Sequence, residues 1–342
     1  MDTFICANTK NGFYSLAGEI LQSGYSYIIK GGPGTGKSSF LKRTAASLEK
    51  AGHSPELIHC SSDPGSLDGL FLKASGVCVF DGTAPHTADP NCPGADGEIL
   101  NFGGFWDSEA LYKSAEQIKA LNVQKKKLNE KAYRLLSAGG KVYEDLNAAV
   151  RDCVNGQACC SYAANFAKRN FKPGSRGNET LRFMRAINGK GISTLTSPLK
   201  TAKKVYCLYD KYETVGACVV QKIREKALLN GQSITTFLNP LEPEQPDCVF
   251  IHGLDYAFTA LPYPEAQNIN INRFASAAQI AACRVKLNFV KKLKDELVAD
   301  ACAAFAGAGK LHGEMEAVYL PAMNFDKLRA FERTFVKRIK AK

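Results

Sequence analysis

Gly31-Gly32-Pro33-Gly34-Thr35-Gly36-Lys37-Ser38 sets four glycines ahead of an ammonium and a hydroxyl. Each residue type has a task in holding a phosphate chain. Glycines let the backbone turn tightly and aim its N–H groups inward at anionic oxygens. Lys37 can reach the outer phosphates, and the Ser38 hydroxyl can ligate Mg²⁺. The spacing is G-x-x-x-x-G-K-[ST], the P-loop pattern. A helix opening at the lysine, with Ser39 in its first turn, would add its positive N-terminal dipole. Gly31 to Ser39 is therefore the expected nucleotide cradle.

Asp81 is the matching acid. It ends the apolar run Val77-Cys78-Val79-Phe80, where a carboxylate can join Ser38 in holding Mg²⁺. The alternative is an aspartate that caps the next turn. Asp63 follows a second apolar run and could position water or take a proton, or could cap the turn before Pro64. His86 is placed to touch phosphates or a substrate, or to be an idle loop histidine. No Asn-Lys-x-Asp guanine reader is present, which favours ATP. Gly82, not Glu, follows Asp81, which argues against a fast motor. His59, Cys60, His86 and Cys92 match no compact zinc spacing.

These residues need elements to hold them. Tyr25 to Lys30 reads as the strand before the loop, and Ser38 to Lys50 as the helix after it, with Gly52 just past its end. Glu56 to Cys60 and Val77 to Phe80 read as further strands. Strands alternating with a helix imply a parallel sheet. Phe13 to Leu21 reads as a short helix after a turn at residues 8–12. Ser114 to Leu136 and Lys141 to Val154 read as two helices. Lys168 to Gly177 reads as a basic linker.

The chain then repeats itself. At an offset of 179, residues 4–85 align without a gap on 183–264. Phe4 meets Phe183, Tyr27 meets Tyr206, Thr35 meets Thr214, Gly52 meets Gly231 and Asp68 meets Asp247. Further on, an offset of 169 sets Lys141 on Lys310, so the second copy is about ten residues shorter after Pro264. Its loop has lost the phosphate chemistry. Asp210-Lys211-Tyr212-Glu213-Thr214-Val215-Gly216-Ala217 stands opposite the glycine motif, with Gly216 for Lys37 and Ala217 for Ser38. Ala260 replaces Asp81. Two acids in that loop would repel phosphate.

The formal charge is +11 over 342 residues, yet residues 1–107 are net acidic and 108–200 strongly basic. That basic segment could bind nucleic acid, or be a solvated helical face. No apolar run is long enough for a membrane span, and no export signal opens the chain. A cytoplasmic location with twelve reduced cysteines is the expectation.

With these pieces in place, the chain resembles an uncharacterised bacterial family of tandem-repeat P-loop ATPases. The resemblance rests on residues 31–38, His-Cys-Ser-Ser-Asp-Pro at 59–64, Ser-Leu-Asp-Gly at 66–69, Asp-Gly-Thr-Ala-Pro-His at 81–86 and Pro-Ala-Met-Asn-Phe-Asp at 321–326. It implies ATP binding with Mg²⁺ and hydrolysis. The family's second half can carry its own P-loop; this one departs from that pattern. The expected fold is α/β: two tandem P-loop NTPase-like cores with parallel sheets, residues 1–175 and 176–342. Each would be followed by a helical hairpin, and the second core would be degenerate. The expected function is slow, switch-like ATP hydrolysis, with Lys37, Asp81 and Asp63 in the chemistry. A small-molecule phosphotransferase and a nucleic-acid-associated ATP-binding protein are the alternatives, and the protein or small-molecule partner is unknown.

Overall fold

The computed structural model describes residues 1–172 and 174–340. The chain opens with β1 (Asp2–Thr3), a hairpin of β2 (Cys6–Thr9) and β3 (Gly12–Ser15), and a short helix α1 (Ala17–Leu21). Next come β4 (Ser26–Lys30), α2 (Lys37–Glu49), β5 (Glu56–His59), β6 (Leu67–Leu72), β7 (Val77–Asp81) and β8 (Gly97–Asn101). The sheet order is β1-β5-β6-β7-β4-β8. All its pairings are parallel except those of β6, which runs against both neighbours. The sheet is thus mixed where a parallel one was expected. β7 is buried along its whole length, as its continuous apolar run requires. In α2, Phe40, Leu41, Thr44, Ala45 and Leu48 form the buried stripe of a helix on a sheet.

The second half follows the same plan. It runs β9 (Glu179–Arg182), β10 (Arg185–Asn188), β11 (Gly191–Thr194), α6 (Ser197–Lys200), β12 (Lys204–Cys207) and α7 (Val215–Leu229). β13 (Ile234–Asn239), β14 (Glu242–Ile251), β15 (Tyr256–Thr259) and β16 (Gln267–Asn268) complete it. The order β16-β12-β15-β14-β13-β9 is the first sheet again. The register agrees residue for residue. Ser26 pairs with Cys78 and Val205 with Ala257, both at the offset of 179. Tyr27 pairs with Glu98 and Tyr206 with Gln267, where the offset has become 169. Positive φ recurs too: Gly12, Gly34, Gly52 and Gly76 are matched by Gly191, Glu213, Gly231 and Asp255.

Several local expectations change. Residues 13–15 are a strand, because Phe13 and Tyr14 pair back across the Gly12 turn with Asn8 and Ala7. Strands β6, buried along its whole length inside the sheet, and β8, at the sheet's edge, were not foreseen, since neither shows clean alternation. The two helices expected between 114 and 154 are one, α4 (Ala115–Arg151), preceded by α3 (Ser108–Lys113). Gly139 and Gly140 do not stop it. A Cβ on Gly140 would stand 2.4 Å from Lys10 Cβ, so this glycine permits a close approach. Helix α5 (Gly156–Asn170) takes up the start of the expected basic linker; Pro173 lies outside the described residues. The chain ends with α8 (Ala277–Tyr319) and α9 (Phe325–Lys340).

The helices following each sheet are not self-contained hairpins. α4 and α8 pack along one another, and the shorter helices change sides. Helix α9 lies on α2: its Leu328, Phe335 and Ile339 enter the core of the first sheet with Tyr27 and Phe40. Helix α5 lies on α7: its Cys159, Ala163 and Phe166 enter the core of the second, with Val219, Ile223 and Phe258. The exchange is reciprocal in detail. Phe335 meets Tyr27 edge-on at 5.0 Å, and Phe166 meets Tyr206 edge-on at 6.0 Å. The expected sequence boundary at 175/176 separates the repeats, but each repeat's last helix completes the other's core.

A pseudo-twofold axis passes between Phe4 and Phe183, whose backbones exchange N–H···O bonds of 3.0 and 2.8 Å. Close to it, Arg182 and Glu56 make a buried ion pair between halves, with Nε–Oε1 at 2.7 Å and a second bond at 3.3 Å. Burial alone would raise the Glu56 carboxyl, but the Arg182 guanidinium dominates and brings it down to about 2. A depressed carboxyl stabilises the fold fully above its ordinary value of 4.5 and loses that contribution as the pH falls toward 2. Removing one partner strands a buried charge, so Arg182→Met should destabilise the chain by about 3–5 kcal/mol at neutral pH. Urea unfolding stepped down in pH checks both points. The gap between wild type and variant should narrow in acid, and a gap constant with pH would remove this pair from the interface energetics.

Candidate functional site

The glycine loop joins β4 to α2, and β4 is the last strand but one of the first sheet, between β7 and the edge strand β8. Gly34 and Gly36 have φ of 65° and 82°, a conformation that costs side chains with a Cβ. These turns bring the loop round into the start of α2. No side chain caps the α2 N-terminus. Lys37 folds back over the loop, donating to the Gly32 carbonyl at 2.7 Å, and lies 3.7 Å from Asp81 Oδ2. The Ser38 hydroxyl accepts the Leu67 N–H at 3.0 Å, so β6 abuts the loop.

The second half forms one wall of this site. A Cβ built on Gly32 would stand 2.5 Å from the Tyr319 ring, and one on Gly34 3.1 Å from the Glu316 backbone. Phe325 approaches Gly36. The end of α8 and the start of α9 therefore rest directly on the loop. Beside them, Phe105, Trp106, Asn324 and Phe325 line a cleft of about 700 Å³ between the halves. Trp106 meets Tyr319 edge-on at 5.8 Å across that boundary.

Next to Lys37, ligand atoms of Asp68, Asp81 and His86 lie within 4.8 Å of one another, all buried. Asp81 Oδ1 accepts both the Thr83 amide at 3.0 Å and its hydroxyl at 2.6 Å. His86 Nε2 faces Asp68 Oδ2 at 3.4 Å, while His86 Nδ1 has no hydrogen-bond partner. Burial would lower the His86 pKa, but the neighbouring Asp68 and then Asp81 raise it above its ordinary value. Two carboxylates beside a serine hydroxyl are the oxygen donors a hard divalent cation such as Mg²⁺ takes. Asp68 is a residue that the sequence reading did not single out as a ligand; its signals were its place in Ser-Leu-Asp-Gly at 66–69 and its identity with Asp247 across the repeat.

The corresponding positions of the second half hold their own counter-charges. Asp210, opposite Gly31, turns its carboxylate into its own loop. Oδ1 accepts from the Tyr212 and Thr214 amides at 3.0 and 3.4 Å, and Oδ2 from Gly216 at 2.9 Å. It sits where the amides of the first loop point. Burial raises its carboxyl and the three amides pull it back. Arg185, opposite Cys6, grips Asp247 twice at 2.7 Å and Glu213 at 2.8 Å. Thus the counterpart of Asp68 has a covalently supplied cation. The expectation that Asp210 and Glu213 act by repulsion is refined: Asp210 occupies the loop.

Asp63, singled out in the sequence, lies apart from this convergence. Asp63 bonds Lys190 at 2.9 Å and the Ser66 hydroxyl at 2.8 Å, an ion-paired turn rather than a free acid. Although burial raises it, Lys190 and Ser66 bring its carboxyl below the usual range. Of the basic run in α4, Lys126 and Lys127 are exposed, whereas Lys125 is half-buried and bonds His312 Nδ1 at 3.0 Å. All twelve cysteines are free thiols. Among the described residues no helix is long and apolar enough to cross a membrane. No family model, curated protein or solved structure matches the chain.

Asp210→Ala should cost about 1–3 kcal/mol, since buried amides lose their acceptor. Asp210→Asn, which keeps one carbonyl oxygen, should cost less. Thermal unfolding of both variants is the check, and an alanine variant as stable as wild type would show that the loop does not depend on this carboxylate.

Proposed function

We propose that the chain binds one Mg²⁺–ATP in the loop of residues 31–39 and hydrolyses it slowly, as a nucleotide switch of the P-loop type. One contrast carries the reading. The second loop contains its own anion, Asp210, and its acid Asp247 its own cation, Arg185. The first loop has no carboxylate of its own, and its acids have only the looser neighbours His86 at 3.4 Å and Lys37 at 3.7 Å; a phosphate chain with its metal ion would supply both charges.

The amides of the loop and Lys37 would hold the β and γ phosphates, with Lys37 leaving its own loop carbonyls to do so. Ser38, Asp81 and Asp68 would hold Mg²⁺, which screens phosphate charge as the terminal bond breaks. Slow turnover follows from what stands near the metal acids. Gly82 follows Asp81, and Asp63 is paired with Lys190, so neither offers a free carboxylate to polarise water. The switch character follows from Glu316, Tyr319 and Phe325, which rest on the loop and connect it to α8 and α9. A tandem-repeat ATPase whose second repeat is structural fits this arrangement.

Lys37→Ala should weaken Mg–ATP binding about tenfold or more, because a charge-assisted contact to phosphate is lost. Calorimetric titration should find one site per chain in wild type. Two sites, or one that is indifferent to Lys37, would refute the loop assignment. Asp81→Asn should reduce turnover more than affinity and raise the Mg²⁺ needed for half-maximal rate. Phosphate release measured against Mg²⁺ concentration tests this, and an unchanged curve removes Asp81 from the metal.

A further inference from the structure

We propose that Lys125 of α4 and His312 of α8 form the outer wall of the phosphate site and grip the terminal phosphate of the nucleotide. This rests on the loop being a nucleotide site and adds the residues that distinguish a triphosphate from a diphosphate.

The first observation is geometric. Glu316 packs on Gly34, and His312 stands one helical turn before it on the same face of α8, with Nε2 3.7 Å from Glu316 Oε1. Lys125 Nζ lies 3.0 Å from His312 Nδ1. Among the described residues Lys125 has no carboxylate in ion-pairing range; its close neighbour is a nitrogen. Burial, then Lys37, lowers the Lys125 pKa, with Glu316 opposing. Burial, then Lys125 and Lys37, lowers His312 to about 4. Lys125 thus donates to the ring nitrogen of a neutral histidine and has Lys37 as its like-charge neighbour. An anion there relieves both lysines at once.

The second observation comes from the repeat. At the offset of 169, Lys125 corresponds to Lys294 and His312 to Tyr143. That pair is also in contact, with Lys294 Nζ 5.5 Å from the Tyr143 ring centre. It also overlies a loop, since the Tyr143 hydroxyl donates to the Glu213 carbonyl at 3.4 Å. There the facing anion is part of the chain. Glu213 has its pKa lowered by Arg185 despite burial, with Lys294 adding to the effect. Lys294, on the second half's own α8, makes its ion pair with Asp295 at 2.7 Å, and at the offset of 169 the residue opposite Asp295 is Lys126. In the first half, Lys125 occupies the same place with no such carboxylate, so its anion is the ligand.

Equilibrium dialysis of the full chain with labelled ATP and ADP in Mg²⁺ tests the proposal. Lys125→Met should lower ATP affinity about tenfold or more while ADP affinity holds, and Lys125→Arg should restore most of the loss. Retained ADP binding also certifies that the methionine variant is folded. Unchanged ATP affinity in that variant overturns the proposal, as does an equal loss for both nucleotides. The two readings fail separately. ATP bound through Lys37 but indifferent to Lys125 overturns only the outer wall. A wild-type chain that binds neither nucleotide overturns the loop assignment and the outer wall with it.

Discussion

A tight loop that aims several backbone N–H groups at one point concentrates positive potential there, and that potential must be answered by negative charge. The same demand is met twice in this chain by different means. In the second repeat a side chain, Asp210, answers it from within. In the first, Gly31 stands at that position, and a Cβ there would already press on the Thr35 hydroxyl at 2.8 Å. The facing acids show the same division. Asp247 is neutralised by Arg185, while Asp68 clusters with Asp81 and His86. One repeat has internalised its counter-charges and become a fixed scaffold; the other keeps its charges open to a ligand.

The fixed repeat is useful because of how the helices are exchanged. Completing each sheet with the other repeat's last helix makes the halves one folding unit, since neither core closes without the partner. It also brings α8 and the start of α9, elements of the second repeat, onto the glycine loop of the first. The opposite end of the symmetry is held still, with Thr214, Glu213 and Asn147 tied into the network of Arg185, Glu242 and Gln245.

The chain by itself determined the local chemistry. The turn at residues 31–36, the strand that ends in Asp81 and the helix after the loop were legible because backbone turns are short-range and their residue types sit side by side. The repeat was legible as well, down to the ten-residue shortening, because conserved turns such as Gly52 and Gly231 fix the register of the strands between them. The loss of Lys37, Ser38 and Asp81 in the second copy followed from that alignment alone.

Only the tertiary structure decided what faces the loop. Asp68, Lys125, His312 and Tyr319 come from β6, α4 and α8, and nothing in their own neighbourhoods sets them apart from ordinary strand or helix residues. The exchange of α5 and α9 was equally hidden, because an amphipathic stripe specifies that a helix must bury one face but not against which sheet. Gly139 and Gly140 read as a break in sequence and prove to be where a long helix packs closely. Asp210 was legible as a charge of the wrong sign for phosphate. That it would turn inward and take the phosphate's place depends on a loop geometry, which the sequence implies only through the folded backbone.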